Sequence, residues 1–257
     1  MWQWLVRLYH RLGSPKWFYE LTGKWIIWLA LLSGVGMLVG VVMGLLFAPA
    51  DYQQGDSFRI IYIHVPAAII AQSGYMIMAV SGAIFLIWRM KMAAWVARAV
   101  APLGASFCLI ALFTGAIWGK PTWGTWWVWD ARLTSMLILL FLYFGVMALQ
   151  RAIESEDASH KAGAILSLVG LVNIPIIKYS VDWWNTLHQP ATLKLTERPP
   201  MHPDMLIPLL IMIVATYLLF ALLVILRTRN EILWHERKRS WIQELPEVAA
   251  RIKGGQR

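Results

Sequence analysis

Two histidines share a local pattern in which a proline follows two residues later. His64 is followed by Pro66, and His188 by Pro190. Proline disfavours helix at the residue before it, so both imidazoles are predicted to lie at a helix edge, where a side chain can turn into a cavity. Two neutral imidazoles on opposite sides of a cavity are the axial ligands that a planar iron porphyrin needs. A hydrogen-bonded residue at a helix end is the alternative interpretation of each histidine.

A tryptophan-rich segment at 118–132 lies between these histidines. The chain has 16 tryptophans in 257 residues, so twelve residues would hold fewer than one on average, but residues 118–129 hold five. A helix begun at Pro121 would place four of the candidate residues on one face. These four are Trp123, Trp126, Trp127 and Asp130. An extended strand would instead align Trp123, Trp127 and Trp129, and both arrangements produce an aromatic surface for a flat ligand. The alternative is an aromatic belt at the membrane interface.

Two arginines accompany these residues. Arg132 closes the tryptophan-rich segment, and Arg59 lies five residues before His64. Guanidinium groups suit bidentate contact with carboxylates, so both are candidates to neutralise porphyrin propionates. Asp130 is predicted to be structural, accepting a hydrogen bond from Arg132, an indole or a backbone N–H, or else to contact a partner. His202 lies in a proline-rich run and is interpreted as part of a stiff connector.

A second aromatic group, Asp182-Trp183-Trp184, precedes His188 by four residues. It could form an opposing wall of the same site or a simple aromatic belt.

The elements that must position these residues are membrane-spanning helices. With 59% hydrophobic and 14% charged residues and a mean hydropathy of +0.57, the composition rules out a water-soluble domain. The single cysteine rules out a disulfide framework or a cysteine-rich metal site.

Six apolar stretches predict an all-α integral membrane protein with six transmembrane helices. They are residues 25–47, 60–88, 99–118, 133–149, 162–177 and 205–226. Asn173 and Pro175 predict that the fifth is short, bent or partly buried among its neighbours.

The distribution of basic residues predicts the orientation. One set of connecting segments and termini holds 17 Lys and Arg, and the alternate loops hold six, among them Lys194 and Arg198. Because basic residues accumulate on the cytoplasmic side, both termini are predicted to be cytoplasmic. The chain then divides into a cytoplasmic N-terminal segment at 1–24, a six-helix membrane domain at 25–226 whose tryptophan-rich loop at 119–132 is periplasmic, and a basic cytoplasmic tail at 227–257.

Three further patterns narrow the function. The sequence has no phosphate-binding P-loop, so any ATP must be hydrolysed by a partner. Ionisable residues are missing from the middle of the spans, which disfavours an ion-driven pump. The +9 charge follows membrane topology, so membrane lipid rather than nucleic acid is the expected contact. Gly36, Gly40 and Gly44 follow one another at intervals of four, a spacing that lets another helix approach closely.

The run from Trp123 to Arg132 resembles the tryptophan-rich WWD signature of haem-handling membrane proteins. With the six spans, the chain length and one histidine in each flanking outer segment, the whole chain resembles the haem exporter protein C family of cytochrome c-type biogenesis proteins. The resemblance implies a protein of the bacterial inner membrane that displays haem b on its periplasmic face. It also implies transfer of that haem to a periplasmic haem chaperone, which forms a covalent adduct through its own histidine.

The resemblance also implies partners and site residues. The family's partners are an ABC-type ATP-binding subunit, a second membrane subunit and a single-span small membrane protein. By the motif match, His64 and His188 would be the axial ligands of the iron. The platform shared by haem and chaperone would be Trp123, Trp126, Trp127, Trp129, Asp130 and Arg132, and Arg59 is added because it lies near His64 in the chain.

The expected role is haem binding and transfer rather than enzymatic catalysis, since positioning rather than acid–base chemistry would promote adduct formation. Two alternatives come from other classes of protein. The chain could be the membrane subunit of an ATP-driven haem exporter, although its spans lack polar residues at mid-membrane. It could also be a membrane b-type electron carrier, although such proteins usually place their histidines within paired spans, whereas His64 and His188 are predicted at one membrane face.

Overall fold

The described part of the chain folds into a bundle of α-helices. The computed structural model describes residues 9–184, 186–188, 199 and 201–245. The main helices are α1 (Pro15–Gly23), α2 (Ile26–Val42), α3 (Ile61–Trp88), α4 (Lys91–Trp123), α5 (Ala131–Ala152), α6 (Glu156–Gly170), α7 (Asn173–Trp183), α8 (Pro203–His235) and α9 (Ser240–Gln243). A π-helical turn, Met43–Phe47, extends α2, and a 3-10 helix, Asp56–Ile60, leads into α3.

Six helical runs are long and apolar enough to cross a membrane. They are Ile26–Phe47, Asp56–Trp88, Lys91–Trp123, Ala131–Ala152, Glu156–Trp183 and Pro203–His235. The prediction of an all-α, multi-pass membrane protein with six spans is therefore confirmed. The helices run beyond several of the apolar stretches, because a helix continues into polar residues wherever its backbone hydrogen bonds can still form.

The fifth span is bent rather than short. It covers 28 residues, but α6 ends at Gly170 and α7 begins at Asn173. Pro175 falls in the first turn of α7, where backbone N–H groups have no partner within the helix and proline is tolerated. The Asn173 side chain donates from Nδ2 to the carbonyl oxygen of Ser135 at 2.8 Å, which satisfies this amide inside the bundle. The predicted bend is confirmed.

The centre of the bundle lies between α3, α4, α5 and α6, while α2 packs mainly on α8. In the centre, the ring centroids of Tyr75 and Tyr143 lie 5.1 Å apart, edge to face, and the Tyr143 hydroxyl donates to the carbonyl oxygen of Ala71 at 2.8 Å. On α2, a Cβ atom added to Gly40 would lie 2.7 Å from Met212 of α8. The glycine spacing therefore allows close helix approach within the bundle itself.

The cytoplasmic tail predicted from residue 227 does not begin at a break in the structure, because α8 continues without interruption to His235. Helix α1 lies against this extension. The Arg229 guanidinium stands 3.5 Å from the ring centroid of Tyr19 and also donates to that residue's carbonyl oxygen. Residues 1–8 and 246–257 of the predicted terminal segments, and Lys194 and Arg198 of the charge count, lie outside the described residues.

Candidate functional site

One face of α4 supports the imidazole of His64. His64 lies in the first turn of α3, near the helix edge as predicted, although the helix continues through Pro66. Its Nδ1 atom lies 3.1 Å from Thr114 Oγ1, and its ring meets that of Trp118 edge to face at 5.7 Å between centroids. A Cβ atom on Gly115 would come within 3.0 Å of His64 Cε1, so glycine permits this close approach. Residues 114, 115 and 118 share one side of α4 by helical spacing.

Trp118 is held in turn by the loop that joins the first two spans. Its indole Nε1–H donates to Gln54 Oε1 at 2.7 Å. The backbone N–H groups of Gln53 and Gln54 donate to Asp51 Oδ1 at 2.9 and 2.8 Å, which fixes the turn that carries Gln54. Gln54 therefore supports His64 indirectly, because it fixes the Trp118 ring that contacts the imidazole.

The tryptophan-rich segment adopts neither of the two predicted conformations. Helix α4 runs through Pro121 to Trp123, and Gly124 ends it with a left-handed φ of 78°. Residues 124–130 then form bends and irregular backbone, so the segment adopts neither of the two alternatives left open by the sequence, a helix begun at Pro121 or an extended strand. Gly124 explains the difference, since glycine adopts the left-handed conformation that ends a helix without steric cost.

Apart from Trp118, the tryptophans of this segment fall into two pairs by exposure. Trp126 and Trp129 are 57% and 77% exposed. Trp123 and Trp127 are half-buried: Trp123 lies 5.8 Å from the His188 ring between centroids, and Trp127 meets Trp129 edge to face at 5.4 Å. Within the part of the chain that the structure describes, the buried indole N–H of Trp127 has no hydrogen-bond partner. The segment thus offers an aromatic surface and one buried donor.

Asp130 links the start of α5 to the segment that carries His188. It is the N-cap residue of α5, where Oδ1 accepts the N–H of Leu133 at 2.7 Å. The hydroxyl of Thr186 donates to Asp130 Oδ2, and Thr186 Oγ1 accepts the backbone N–H of His188 at 3.0 Å. A backbone N–H was one of the partners considered for Asp130 from the sequence, and Thr186 was not foreseen.

The guanidinium of Arg132 joins three segments. Its Nη1 lies 3.3 Å from His188 Nδ1, Nη2 donates to the carbonyl oxygen of Lys178 at 3.2 Å, and Nε donates to Ser180 Oγ at 3.4 Å. The contacts of Arg132 and Trp123 with His188 bring these three residues together, and both Arg132 and His188 interact electrostatically with the imidazole of His64. His64 lies in the second span, whereas His188 follows the fifth.

Other predicted residues have different surroundings. Arg59 donates from Nη1 to the carbonyl oxygen of Gly44 at 2.7 Å and from Nε to Asp56 Oδ1 at 3.0 Å, so in this structure it secures the end of the first span. His202 is the N-cap residue of α8, and its Nδ1 accepts the N–H of Asp204 at 3.3 Å. That position agrees with the interpretation of His202 as part of a connector.

The second aromatic group forms a surface of its own next to α7. Trp183 stacks on Tyr179 at 5.5 Å between centroids and meets Trp184 edge to face at 5.7 Å. All three side chains are exposed. This surface is compatible with either of the two interpretations made from the sequence.

Sequence reasoning overlooked Thr114, Gly115, Gln54 and Thr186. For the first two a local signal existed, because Thr114, Gly115 and Trp118 lie at helical spacing next to the tryptophan-rich segment. For Gln54 and Thr186 no such signal existed, since their partners are far away in the chain.

Six membrane-spanning helices that gather two histidines, an arginine and a tryptophan-rich segment define a polytopic membrane protein with a candidate binding site built from several spans. The chain belongs to the Heme exporter protein C family, whose model matches residues 8–243. The resemblance noted in the sequence is therefore confirmed.

Individual relatives match over nearly the whole chain. It is 52% identical over 236 residues to Heme exporter protein C of Escherichia coli (strain K12), which covers 92% of this chain and 95% of that protein. It is 46% identical over 248 residues to the protein of the same name from Haemophilus influenzae, covering 96% and 99%. A putative cytochrome c biosynthesis ccmC-like mitochondrial protein of Marchantia polymorpha is 43% identical over 195 residues, covering 76% and 82%.

Proposed function

We propose that this chain binds haem b at the periplasmic face of the bacterial inner membrane and passes it to a periplasmic haem chaperone for cytochrome c maturation. Membership of the Heme exporter protein C family supports haem as the cargo. The name of the Marchantia relative supports the link to cytochrome c. The chain's role is to hold and present haem, and not to catalyse a reaction of its own.

The observation that carries this proposal is the electrostatic interaction between His64 and His188. One imidazole comes from the start of α3 and the other from the segment after α7. Two imidazoles that approach from different elements can ligate one iron from its two axial sides. Trp123 lies beside His188, where an aromatic ring can stack on a porphyrin edge.

The polar groups around the histidines suit the carboxylates of haem. Arg132 has a planar guanidinium that can bind a propionate in bidentate fashion. The indole N–H of Trp127 is a second donor, because it is buried and has no partner among the described residues. The exposed Trp126 and Trp129 provide the surface that haem and the chaperone share. Asp130 holds the tryptophan-rich segment in place. Arg59 acts in this proposal as a support of the adjacent loop.

The same proposal includes partners that supply what the chain lacks. The sequence has no P-loop, so ATP hydrolysis belongs to an ABC-type ATP-binding subunit. A second membrane subunit and a single-span small membrane protein complete the complex. Membrane lipid surrounds the spans, of which the first is mostly exposed in the isolated chain.

The experiment that tests the site is the visible spectrum of the detergent-purified protein and of its His64→Ala and His188→Ala variants at matched protein levels. We expect a bis-imidazole haem spectrum in the parent and a different ligation state in each variant. His202→Ala is the matched control, because His202 caps α8 and should leave the spectrum unchanged. A parent without haem, or an unchanged spectrum in both variants, would overturn the proposal.

A second candidate function is movement of haem across the membrane, which the word exporter in the relatives' names favours. Vesicles that contain this chain with the ATP-binding subunit and ATP, but without the second membrane subunit, would then accumulate haem on the far side. If they bind haem at one face and do not transport it, the presentation role is supported instead. The same vesicles without ATP provide the matched comparison.

The proposed orientation has its own test. Tyr52 is 91% exposed in the loop after the first span, and Lys238 is exposed beyond α8. In spheroplasts, a membrane-impermeant maleimide should label the protein that carries Tyr52→Cys and not the one that carries Lys238→Cys. The native Cys108 is buried and provides little background. The reverse labelling pattern would place the tryptophan-rich segment in the cytoplasm.

A further inference from the structure

Thr114 has only one hydroxyl hydrogen, and the helix backbone takes it. The Thr114 hydroxyl donates to the carbonyl oxygen of Ile110 at 2.7 Å, with that of Ala111 at 3.3 Å as a second, longer acceptor. Such bonding to the preceding turn is common for threonine within helices. Because the hydrogen is used there, Thr114 Oγ1 presents a lone pair to His64 Nδ1 at 3.1 Å. The hydrogen of this second contact must therefore come from the imidazole.

The direction of this hydrogen bond determines the tautomer of His64. A neutral imidazole carries one hydrogen, and when Nδ1 is the donor the free lone pair is on Nε2. Metal-binding histidines commonly donate their other ring N–H to a fixed acceptor, which sets both the tautomer and the ring orientation. Thr114 has the position and the chemistry of such an acceptor.

Two further contacts restrict the same ring. Trp118 meets it edge to face from one turn further along α4, and Gly115 lets the helix backbone approach its Cε1 edge. Trp118 is itself fixed through its hydrogen bond to Gln54. The ring of His64 is therefore held from a single helix face by the Thr114 hydroxyl, by the backbone carbonyl of Ala111 and by the Trp118 ring.

We propose that Thr114 is the positioning residue that fixes His64 with its hydrogen on Nδ1 and presents Nε2 to the iron of haem. This inference rests on the proposed function, in which His64 is an axial ligand. Thr114 does not touch haem and acts only through His64. Its replacement should change the ligation of the iron without removing the ligand itself.

The test is a haem titration of the full-length, detergent-purified chain, followed by visible spectroscopy. Thr114→Val keeps the size of the side chain but removes the hydroxyl, and Thr114→Ser keeps the hydroxyl. We expect Thr114→Val to weaken haem binding about 10–100-fold, as loss of such supporting partners usually does, and Thr114→Ser to bind like the parent. Ser106→Ala is the matched control, because the Ser106 hydroxyl bonds to Pro102 in the same helix with no histidine beside it.

The backgrounds in which Thr114→Val is made distinguish positioning from a structural role. In a His188→Ala background, where His64 is the remaining ligand, Thr114→Val should cause the same loss. In a His64→Ala background it should cause no further loss. An equal loss in the His64→Ala background, or no loss in the parent, would overturn the inference.

Nitrogen-15 NMR of histidine-labelled, haem-free protein gives a readout that does not depend on haem binding. The His64 signal, assigned by its absence in His64→Ala, should report a hydrogen on Nδ1 in the parent and in Thr114→Ser. A hydrogen on Nε2 in the parent would overturn the inference even if Thr114→Val folds poorly. The proposed function and the role of Thr114 can fail separately. If His64→Ala leaves haem binding unchanged, the proposed function fails, whereas if only Thr114→Val has no effect, the inference alone fails.

Discussion

Arg132 donates a hydrogen bond from Nη1 to His188 Nδ1 across 3.3 Å. A guanidinium has no acceptor, so Nδ1 of His188 must be the acceptor, whereas the corresponding atom of His64 faces the lone pair of Thr114. Nδ1 therefore accepts a hydrogen bond in His188 and donates one in His64. A carboxylate attracts a guanidinium more strongly than a neutral imidazole does, so we expect a haem propionate to draw Arg132 away from His188.

Replacement of Arg132 by lysine should weaken haem binding about 10–100-fold. The ammonium of lysine is a point charge, so it cannot bind a propionate with the bidentate geometry of the guanidinium fork. Haem titration of the purified variant measures the effect. Arg151→Lys, at the far and exposed end of the same helix, is the matched control and should bind haem like the parent. Equal affinities for Arg132→Lys and the parent would contradict this role.

Asp130→Ala should lower both stability and haem binding, because Asp130 caps α5 and holds Thr186. Loss of an N-cap costs about 0.5–2 kcal/mol in the free energy of unfolding. Thermal unfolding in detergent and the haem titration measure the two effects. Ser155→Ala removes the N-cap of α6, whose side chain accepts the N–H of Ala158, and should lower stability alone. If both variants lose haem equally, the link from Asp130 to His188 is not functional.

Trp129→Ala should weaken haem binding without destabilising the fold. The side chain is 77% exposed, and exposed substitutions usually change stability by no more than about 0.5 kcal/mol. Loss of one aromatic contact with the porphyrin should cost about 0.5–1.5 kcal/mol of binding free energy. Trp28→Ala, which removes a tryptophan that is 58% exposed on α2, is the control and should leave haem affinity unchanged. A similar loss in both variants would favour a simple aromatic belt.

Arg59→Ala tests whether Arg59 binds a haem propionate, as expected from the sequence, or supports the carbonyl oxygen of Gly44, as its hydrogen bond indicates. Because Arg59 bonds to the carbonyl oxygen of Gly44, its removal should lower the free energy of unfolding by about 1–3 kcal/mol. We expect a smaller effect on haem affinity than that of Arg132→Lys. Asp56→Asn leaves the bond to Gly44 possible and should be nearly neutral in thermal unfolding, since Asp56 is exposed. A stable Arg59→Ala variant with greatly reduced haem affinity would instead support the propionate contact.

The six spans could be read from the sequence because a membrane crossing requires a contiguous apolar stretch, which is a local property. The bend of the fifth span was also visible, since Asn173 and Pro175 act on the backbone near their own positions. The conformation of the tryptophan-rich segment was left open between a helix begun at Pro121 and an extended strand, whereas the membrane-crossing helix continues through Pro121 and ends at Trp123. Pro121 favours the start of a helix and Gly124 favours the end of one, and the sequence alone does not show which of the two residues decides.

Residue types and spacing were sufficient to identify the tryptophan-rich segment and the two histidines as candidates, because those patterns lie within short stretches of chain. Only the tertiary structure decided which groups those residues meet. Thr114 lies 50 residues from His64, and Arg132 lies 56 residues from His188. These pairs depend on the rotation and relative height of neighbouring helices, which are set by side chains that interlock throughout the bundle. That is also why Arg59, close to His64 in the chain, bonds to Gly44 instead.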